Sequence, residues 1–262
     1  MIGFIGGGNM AEALIKGMTA EGMKDILVAE PRRERGTELE KLYGVKAVQS
    51  NREVALSCDI IILAIKPQSM ESVLDEIADA IDETKTVVSI AAGITLSYLQ
   101  SRLKTNKIIR VMPNTPALIQ EGVSVYSLCE CFTGSEVNIV KSILMSIGRV
   151  IALPERLMDA VTAVSGSGPA FIALFIEAII EAGEKLGLNR NDATELAVQT
   201  ALGSAKLLDT GMSTENLRQM VTSPGGTTAA GLKVFEEKEL KPIVFEALLA
   251  AKNRAKELGK KD

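Results

Sequence analysis

Six residues near the start of the chain carry its strongest chemical signal. Gly6-Gly7-Gly8-Asn9-Met10-Ala11 fits the spacing G-x-G-x-x-A. Gly6 permits a tight turn, Gly8 lets the backbone approach a pyrophosphate, and Ala11 allows a helix to pack closely on a strand. A helix opening here turns unpaired N–H groups and a partial positive charge toward phosphate oxygens. Glu30 follows at the end of the next apolar run. There it would accept a hydrogen bond from a ribose 2′-hydroxyl and repel a 2′-phosphate. Arg32 and Arg33, directly after it, would instead neutralise a 2′-phosphate. Glu30 argues for NADH and the arginine pair for NADPH, and the residues leave that choice open.

Further chemistry sits at the ends of later apolar runs. Asp59–Ile65 ends in Lys66-Pro67, a positive charge followed by a preset first helical turn. Thr86–Ile90 ends in Ala91-Ala92-Gly93, small enough to leave room for a flat nicotinamide ring. Ile108–Met112 ends in Pro113-Asn114-Thr115-Pro116, a rigid turn offering the Asn114 amide and a hydroxyl as candidate substrate contacts. Each alone reads equally well as loop punctuation. Three at consecutive strand ends, on the face the glycine bend selects, read as a site. Later, Ser165-Gly166-Ser167-Gly168-Pro169-Ala170 precedes a long apolar helix. Thr222-Ser223-Pro224-Gly225-Gly226-Thr227-Thr228 opens another helix with free N–H groups and nearby hydroxyls, an arrangement suited to a carboxylate.

The elements that must position these groups follow from periodicity. Ile2–Ile5, Ile26–Ala29, Asp59–Ile65, Thr86–Ile90 and Ile108–Met112 read as strands buried on both faces. Helical patterns lie between them at Asn9–Glu21, Arg32–Leu42, Pro67–Ile81 and Leu96–Leu103. Such alternation predicts a parallel, doubly wound α/β sheet of the Rossmann type. Gly122–Ser127 and Arg149–Leu153, flanking a helix at Ser135–Ile147, are expected to extend that sheet at one edge. After Pro154 only helices remain: Ala170–Leu186, Asn191–Leu208, Thr214–Val221, Thr228–Glu236 and Leu240–Leu258. We therefore expect a dinucleotide-binding domain at 1–154 and an all-α domain at 155–262. The helix from Ala170 is apolar nearly all round and must be covered, which points to an interface between subunits.

Composition narrows the function. The 262 residues contain no histidine and no tryptophan, so a Ser-His-Asp triad, a His-ligated metal and a histidine base are excluded. The net charge of −4 divides equally about Pro154, which leaves no basic surface for nucleic acid. The longest unbroken apolar runs, such as Ala170 to Ile176, fall far below the ~20 residues of a membrane span. The first residues enter a strand without a basic leader, so no signal peptide is expected. Cys58, Cys129 and Cys131 have no metal-ligand spacing and read as small buried residues in a reducing cytoplasm. No metal is expected.

Taken in order, Gly6 to Ala11, Ala64-Ile65-Lys66-Pro67, Ser89-Ile90-Ala91-Ala92-Gly93, Met112 to Pro116, Ser165 to Ala170 and Ser223 to Thr228 resemble the pyrroline-5-carboxylate reductase family. The resemblance runs from Met1 to about Leu258, and the last motif is its most specific part. It implies hydride transfer from C4 of NADPH or NADH to the C=N carbon of L-1-pyrroline-5-carboxylate, giving L-proline. It also implies that Gly6, Gly8, Asn9, Met10 and Ala11 hold the pyrophosphate. Asn51 and the segment after Ala29 would contact the adenosine ribose. Ala64, Ile65, Lys66 and Pro67, with Ala91, Ala92 and Gly93, would line the nicotinamide side. Ser223, Gly225, Gly226, Thr227 and Thr228 would hold the carboxylate of the cyclic imino acid, with the Thr228 hydroxyl near the ring nitrogen. The family's interlocked helical domains imply a homo-oligomer.

Two rival readings stand beside this one. A 3-hydroxyacid dehydrogenase needs a lysine four residues after its Gly-x-Gly, and Ile172 occupies that place after Gly166-Ser167-Gly168. A non-catalytic NAD(P)-binding regulatory protein of the same fold is separated by a turnover assay.

Overall fold

Residues 1–129, 132 and 135–259 are described by the computed structural model. The first half alternates strand and helix: β1 (Ile2–Ile5), α1 (Asn9–Ala20), β2 (Ile26–Ala29), α2 (Arg33–Tyr43), β3 (Lys46–Val48), α3 (Asn51–Ser57), β4 (Ile60–Leu63), α4 (Met70–Ile77), β5 (Thr86–Ser89), α5 (Leu96–Arg102) and β6 (Ile108–Met112). Then come β7 (Gly122–Leu128), α6 (Ser135–Met145) and β8 (Gly148–Ala152). The strands form one sheet in the order β3-β2-β1-β4-β5-β6-β7-β8. All neighbours pair parallel except β6 and β7, which run antiparallel. The added strands do extend one edge, as expected.

Side-chain alternation along the strands explains why both faces are covered. Phe4, Val28, Ile62, Val88 and Ile109 point to one face, where they meet Leu14, Ile15 and Met18 of α1 and Ile143 and Leu144 of α6. Ile5, Leu27, Ile61, Leu63 and Val87 point to the other, against Val54 of α3, Leu74 and Ile77 of α4 and Leu99 of α5. Chain order reverses between β1 and β4, so the tips of those strands flank the switch point where ligands bind in open α/β sheets.

The sequence reading missed β3 and α3. β3 is only three residues long, and α3 buries only Val54 and Ala55, so neither shows a usable period. It also took Ile108–Met112 as uniformly apolar, yet Arg110 lies in that strand at 4% exposure. The cysteines divide. Cys58 is fully buried, and burial pushes its thiol up to about 11, so it stays protonated at neutral pH. Cys129 is half-buried and disulfide-bonded, contrary to the expected reduced residue. Cys131 lies outside the described residues.

Beyond β8 the chain is helical: α7 (Met158–Val161), a wider turn over Thr162–Gly166, then α8 (Gly168–Lys185), α9 (Arg190–Asp209), α10 (Thr214–Met220), α11 (Thr227–Glu237) and α12 (Leu240–Leu258). Packing defines two compact units, one of residues 1–167 with 250–262 and one of residues 168–249. Among residues 168–249 the buried apolar side chains are Ala193 and Ala197 alone. Phe171, Ile172, Leu174, Phe175 and Ile179 of α8 are all exposed. By length and composition alone the helical stretch 155–185 could cross a membrane, since one 18-residue window in it has a mean hydropathy of 1.7. Counting unbroken apolar runs overlooked it, because Ser, Thr and Gly interrupt a run while adding little polarity.

Candidate active site

Gly6 adopts φ +99°, and a Cβ there would lie 2.6 Å from the Ala64 carbonyl oxygen. Only glycine fits such a turn without strain. Gly8, which caps α1, has an ordinary φ of −73°, and nothing lies within 4 Å of a Cβ built on it. No fold contact therefore requires glycine at position 8; it leaves open space in front of a helix start. Ala11 is 1% exposed, packed as its motif position demands.

The structure shows how the bend is held, and here sequence reasoning missed two groups. The Gly7 N–H donates to Glu30 Oε2 at 3.0 Å, and the Gly7 carbonyl accepts from Arg35 Nε at 2.8 Å. Arg35 is anchored in turn by Glu12 and Glu38. The central Gly7 peptide is thus clamped from both sides. The unspecified x of the motif and an arginine five residues past Glu30 gave no local signal of this.

Glu30 itself faces inward rather than toward a ligand. Its Oε1 accepts from Arg32 N at 3.0 Å and Arg32 Nε at 2.8 Å, and its Oε2 accepts from Gly7 N and Arg32 Nη2. Four donors occupy the four acceptor sites of one carboxylate, so none is vacant for a ribose hydroxyl. Burial pushes the Glu30 carboxyl up, but the bonds from Arg32 and Gly7 outweigh it and hold it below the usual carboxylate range. A group depressed in this way stabilises the fold above its unfolded pKa and loses that contribution as pH falls through its folded one. Glu30→Gln is therefore expected to lower the melting temperature at neutral pH, and the gap to wild type should close below about pH 4. Thermal melts across pH 3–8 check this.

The remaining expected residues fall into two groups. Ala64 and Ile65 at the β4 tip are half-buried, Lys66 is exposed, and Pro67 starts a tight turn ahead of α4. Asn9 is exposed and Met10 half-buried at the first turn of α1, and Arg33 is exposed at the start of α2. These are free to meet a ligand. Others are engaged within the protein. Asn51 donates its amide to Glu76 at 2.7 Å, and Asn114 Oδ1 accepts from Val123 N at 2.9 Å. Gly93 has φ +78°, and a Cβ there would lie 3.0 Å from Gly259 N. The last turn of α12 thus covers Gly93, while Ala92 beside it is half-buried and Ala91 buried.

In the helical unit, α11 begins at Gly226, again a glycine cap without a side-chain hydrogen bond. Gly225 takes φ +70°, and the Gly226 N–H closes the turn onto Ser223 O at 3.0 Å. Ser223 and Thr227 are exposed and Thr228 half-buried. By contrast α3, α5, α9 and α10 are capped by Ser50, Thr95, Asn189 and Ser213, whose side chains satisfy a first-turn N–H. α2, α4 and α7 also start without a side-chain cap, on Arg32, Ser69 and Leu157, whereas α1 and α11 start on glycine, which leaves their first-turn donors unshielded toward an anion.

A sheet with its switch point at β1 and β4, a glycine bend there and a glycine-capped helix start together define a domain of the dinucleotide-binding class. Comparison with known proteins agrees. Residues 1–93 match the family described as NADP oxidoreductase, coenzyme F420-dependent, and residues 155–258 match the family described as pyrroline-5-carboxylate reductase dimerisation. A pyrroline-5-carboxylate reductase of Synechocystis is 41% identical over 264 residues, covering 99% of this chain and 98% of the relative. The solved reductase of Coxiella burnetii has a TM-score of 0.93 at 40% identity, covering 99% of this chain and 98% of that one. That of Plasmodium falciparum, solved with NADP bound, has a TM-score of 0.88 at 34% identity, with the same coverage. The chain belongs to the pyrroline-5-carboxylate reductase family.

Proposed function

We propose that this protein reduces L-1-pyrroline-5-carboxylate to L-proline with NADPH, as an enzyme of proline synthesis. One observation carries the reading: in a chain of this family, α1 and α11 both start on glycine with no side-chain cap. Those two helix starts supply donors for the two anions the reaction brings together, a pyrophosphate and a small carboxylate. When bound, the reduced dinucleotide supplies the hydride. Gly6 to Ala11 grip its pyrophosphate, and the β4 tip at Ala64–Pro67, with the half-buried Ala92 after β5, borders its nicotinamide end. Gly225 to Thr228, with the Ser223 hydroxyl, bind the imino acid's carboxylate. The Thr228 hydroxyl orients the ring nitrogen. A cyclic imine, once protonated, is electrophilic enough that positioning supplies most of the catalysis, which suits a chain without histidine.

The preference for NADPH follows from Glu30. With all four acceptor sites filled, it cannot reward a free 2′-hydroxyl. Arg33 is exposed and meets a 2′-phosphate directly, while Arg32, bonded to Glu30 through Nε and Nη2 with its side chain 67% exposed, adds its remaining Nη1. The exposed apolar face of α8 is assigned to a homo-oligomer interface, in line with the dimerisation family matched by residues 155–258. Neither nucleic acid nor membrane enters the reading. The cytoplasm is the proposed location, since substrate and cofactor are small charged molecules.

Absorbance at 340 nm, with substrate and either dinucleotide, tests the reading. We expect oxidation of both, with NADPH favoured at least about tenfold in kcat/KM, the worth of one charge-assisted contact. Oxidation of neither would favour a binding protein without turnover. Thr228→Ala should lower kcat by about tenfold to a hundredfold, and full turnover in that variant would remove Thr228 from the mechanism.

A further inference from the structure

Arg110 is a cation where a central strand should hold none. It lies between Ile109 and Val111 in β6 and is 4% exposed. Its Nη1 is 3.2 Å from Glu155 Oε1 and its Nη2 3.6 Å from Asp159 Oδ1. The same Glu155 oxygen accepts from the backbone N–H of Leu96, the first residue of α5, at 2.7 Å. A buried ion pair is a poor source of stability, because desolvation offsets most of its attraction and apolar residues would fill the space as well. Its placement suggests a different use.

One carboxylate oxygen joins three segments. β6 runs directly into the Pro113–Pro116 turn, and α5 follows directly from the Ala91–Gly93 turn. Glu155 and Asp159 flank the start of α7, which leads into Thr162–Gly166. The third link also touches the first, since a side chain at Gly166 would strike the terminal methyl of Met112 at the β6 tip. All three belong to the compact unit of residues 1–167 and 250–262. The glycine bend is not among them. β6 stands three strands from β1 in the sheet, a distance of about 14 Å at the usual strand spacing.

We propose that Arg110 and Glu155 are positioning residues, holding the turns after β5 and β6 in register with the start of the helical segment. The proposal rests on the reductase reading above. Hydride transfer requires the reacting atoms within roughly 3–3.5 Å, so a small displacement of these turns lowers the rate without loosening the pyrophosphate. Removing Arg110 would strand two acids and threaten the fold, so Glu155, which is partly exposed, is the better probe.

The test uses the full chain and three readouts: steady-state kinetics with pyrroline-5-carboxylate, NADPH affinity by fluorescence titration, and the melting temperature. In Glu155→Ala, kcat should fall about tenfold and the imine KM rise severalfold, with the NADPH Kd within about twofold of wild type. Glu155→Gln keeps an acceptor for the Leu96 N–H and should recover most of the kcat. Wild-type kcat and KM in the alanine variant would overturn the proposal. So would a joint loss of kcat, NADPH affinity and melting temperature, which marks a merely structural role, or a glutamine variant no better than alanine. A wild-type chain without turnover would instead sink the reductase reading, and the positioning proposal with it.

Discussion

Alanine at Gly8 should leave the fold intact and abolish useful dinucleotide binding. The backbone there is ordinary, at φ −73°, and the added methyl meets no atom of the protein within 4 Å. Any loss must then come from the ligand, whose pyrophosphate has to approach the backbone at that point. We expect an unchanged melting temperature and an NADPH Kd raised roughly a hundredfold, about 2.7 kcal/mol at 25 °C. Gly6→Ala makes the contrast. Its φ of +99° and the 2.6 Å approach to the Ala64 carbonyl oxygen strain the bend itself, so affinity and melting temperature should fall together. Calorimetric melts and fluorescence titrations on both variants separate the two effects. Retained NADPH affinity in Gly8→Ala would place the dinucleotide elsewhere.

A charge on α8 should break the assembly. Leu174 is 63% exposed within one chain, and residues 168–249 bury only Ala193 and Ala197 among their apolar side chains. A helical unit of that size cannot hold itself together on two alanines, so its apolar faces must be covered by another copy. Leu174→Glu withdraws about 1.5–3 kcal/mol of apolar burial per copy and sets a carboxylate in an apolar contact. Light scattering should show wild type at a multiple of 27.9 kDa and the variant at the monomer mass, or aggregated. A wild-type chain that is monomeric and stable would refute the assignment of that face.

The glycine bend, the strand tips and the two glycine-capped helix starts were legible in the sequence because their geometry is local. A turn needing positive φ, a helix opening on glycine and a buried strand each depend on a few adjacent residues. What stayed hidden depends on register. Glu30 looked like a ribose acceptor until the pairing of Ile5 with Ala29 brought its carboxylate beside Gly7. Arg110 passed as part of an apolar run, because its partner Glu155 lies in an element that only the folded sheet brings near. Gly93 read as room for a nicotinamide, and its contact with Gly259 spans most of the chain. The apolar character of α8 was plain from composition, and its exposure follows because so little else in that unit can cover it.

Isotope transfer tests the central claim most directly. The wild-type protein should be given NADPH carrying two deuterium atoms at nicotinamide C4, with L-1-pyrroline-5-carboxylate, and the product examined by mass spectrometry and NMR. The account predicts L-proline with one deuterium, located at C5 of the ring, and one proline formed per NADPH oxidised. Proline without deuterium, or no proline at all, would contradict it.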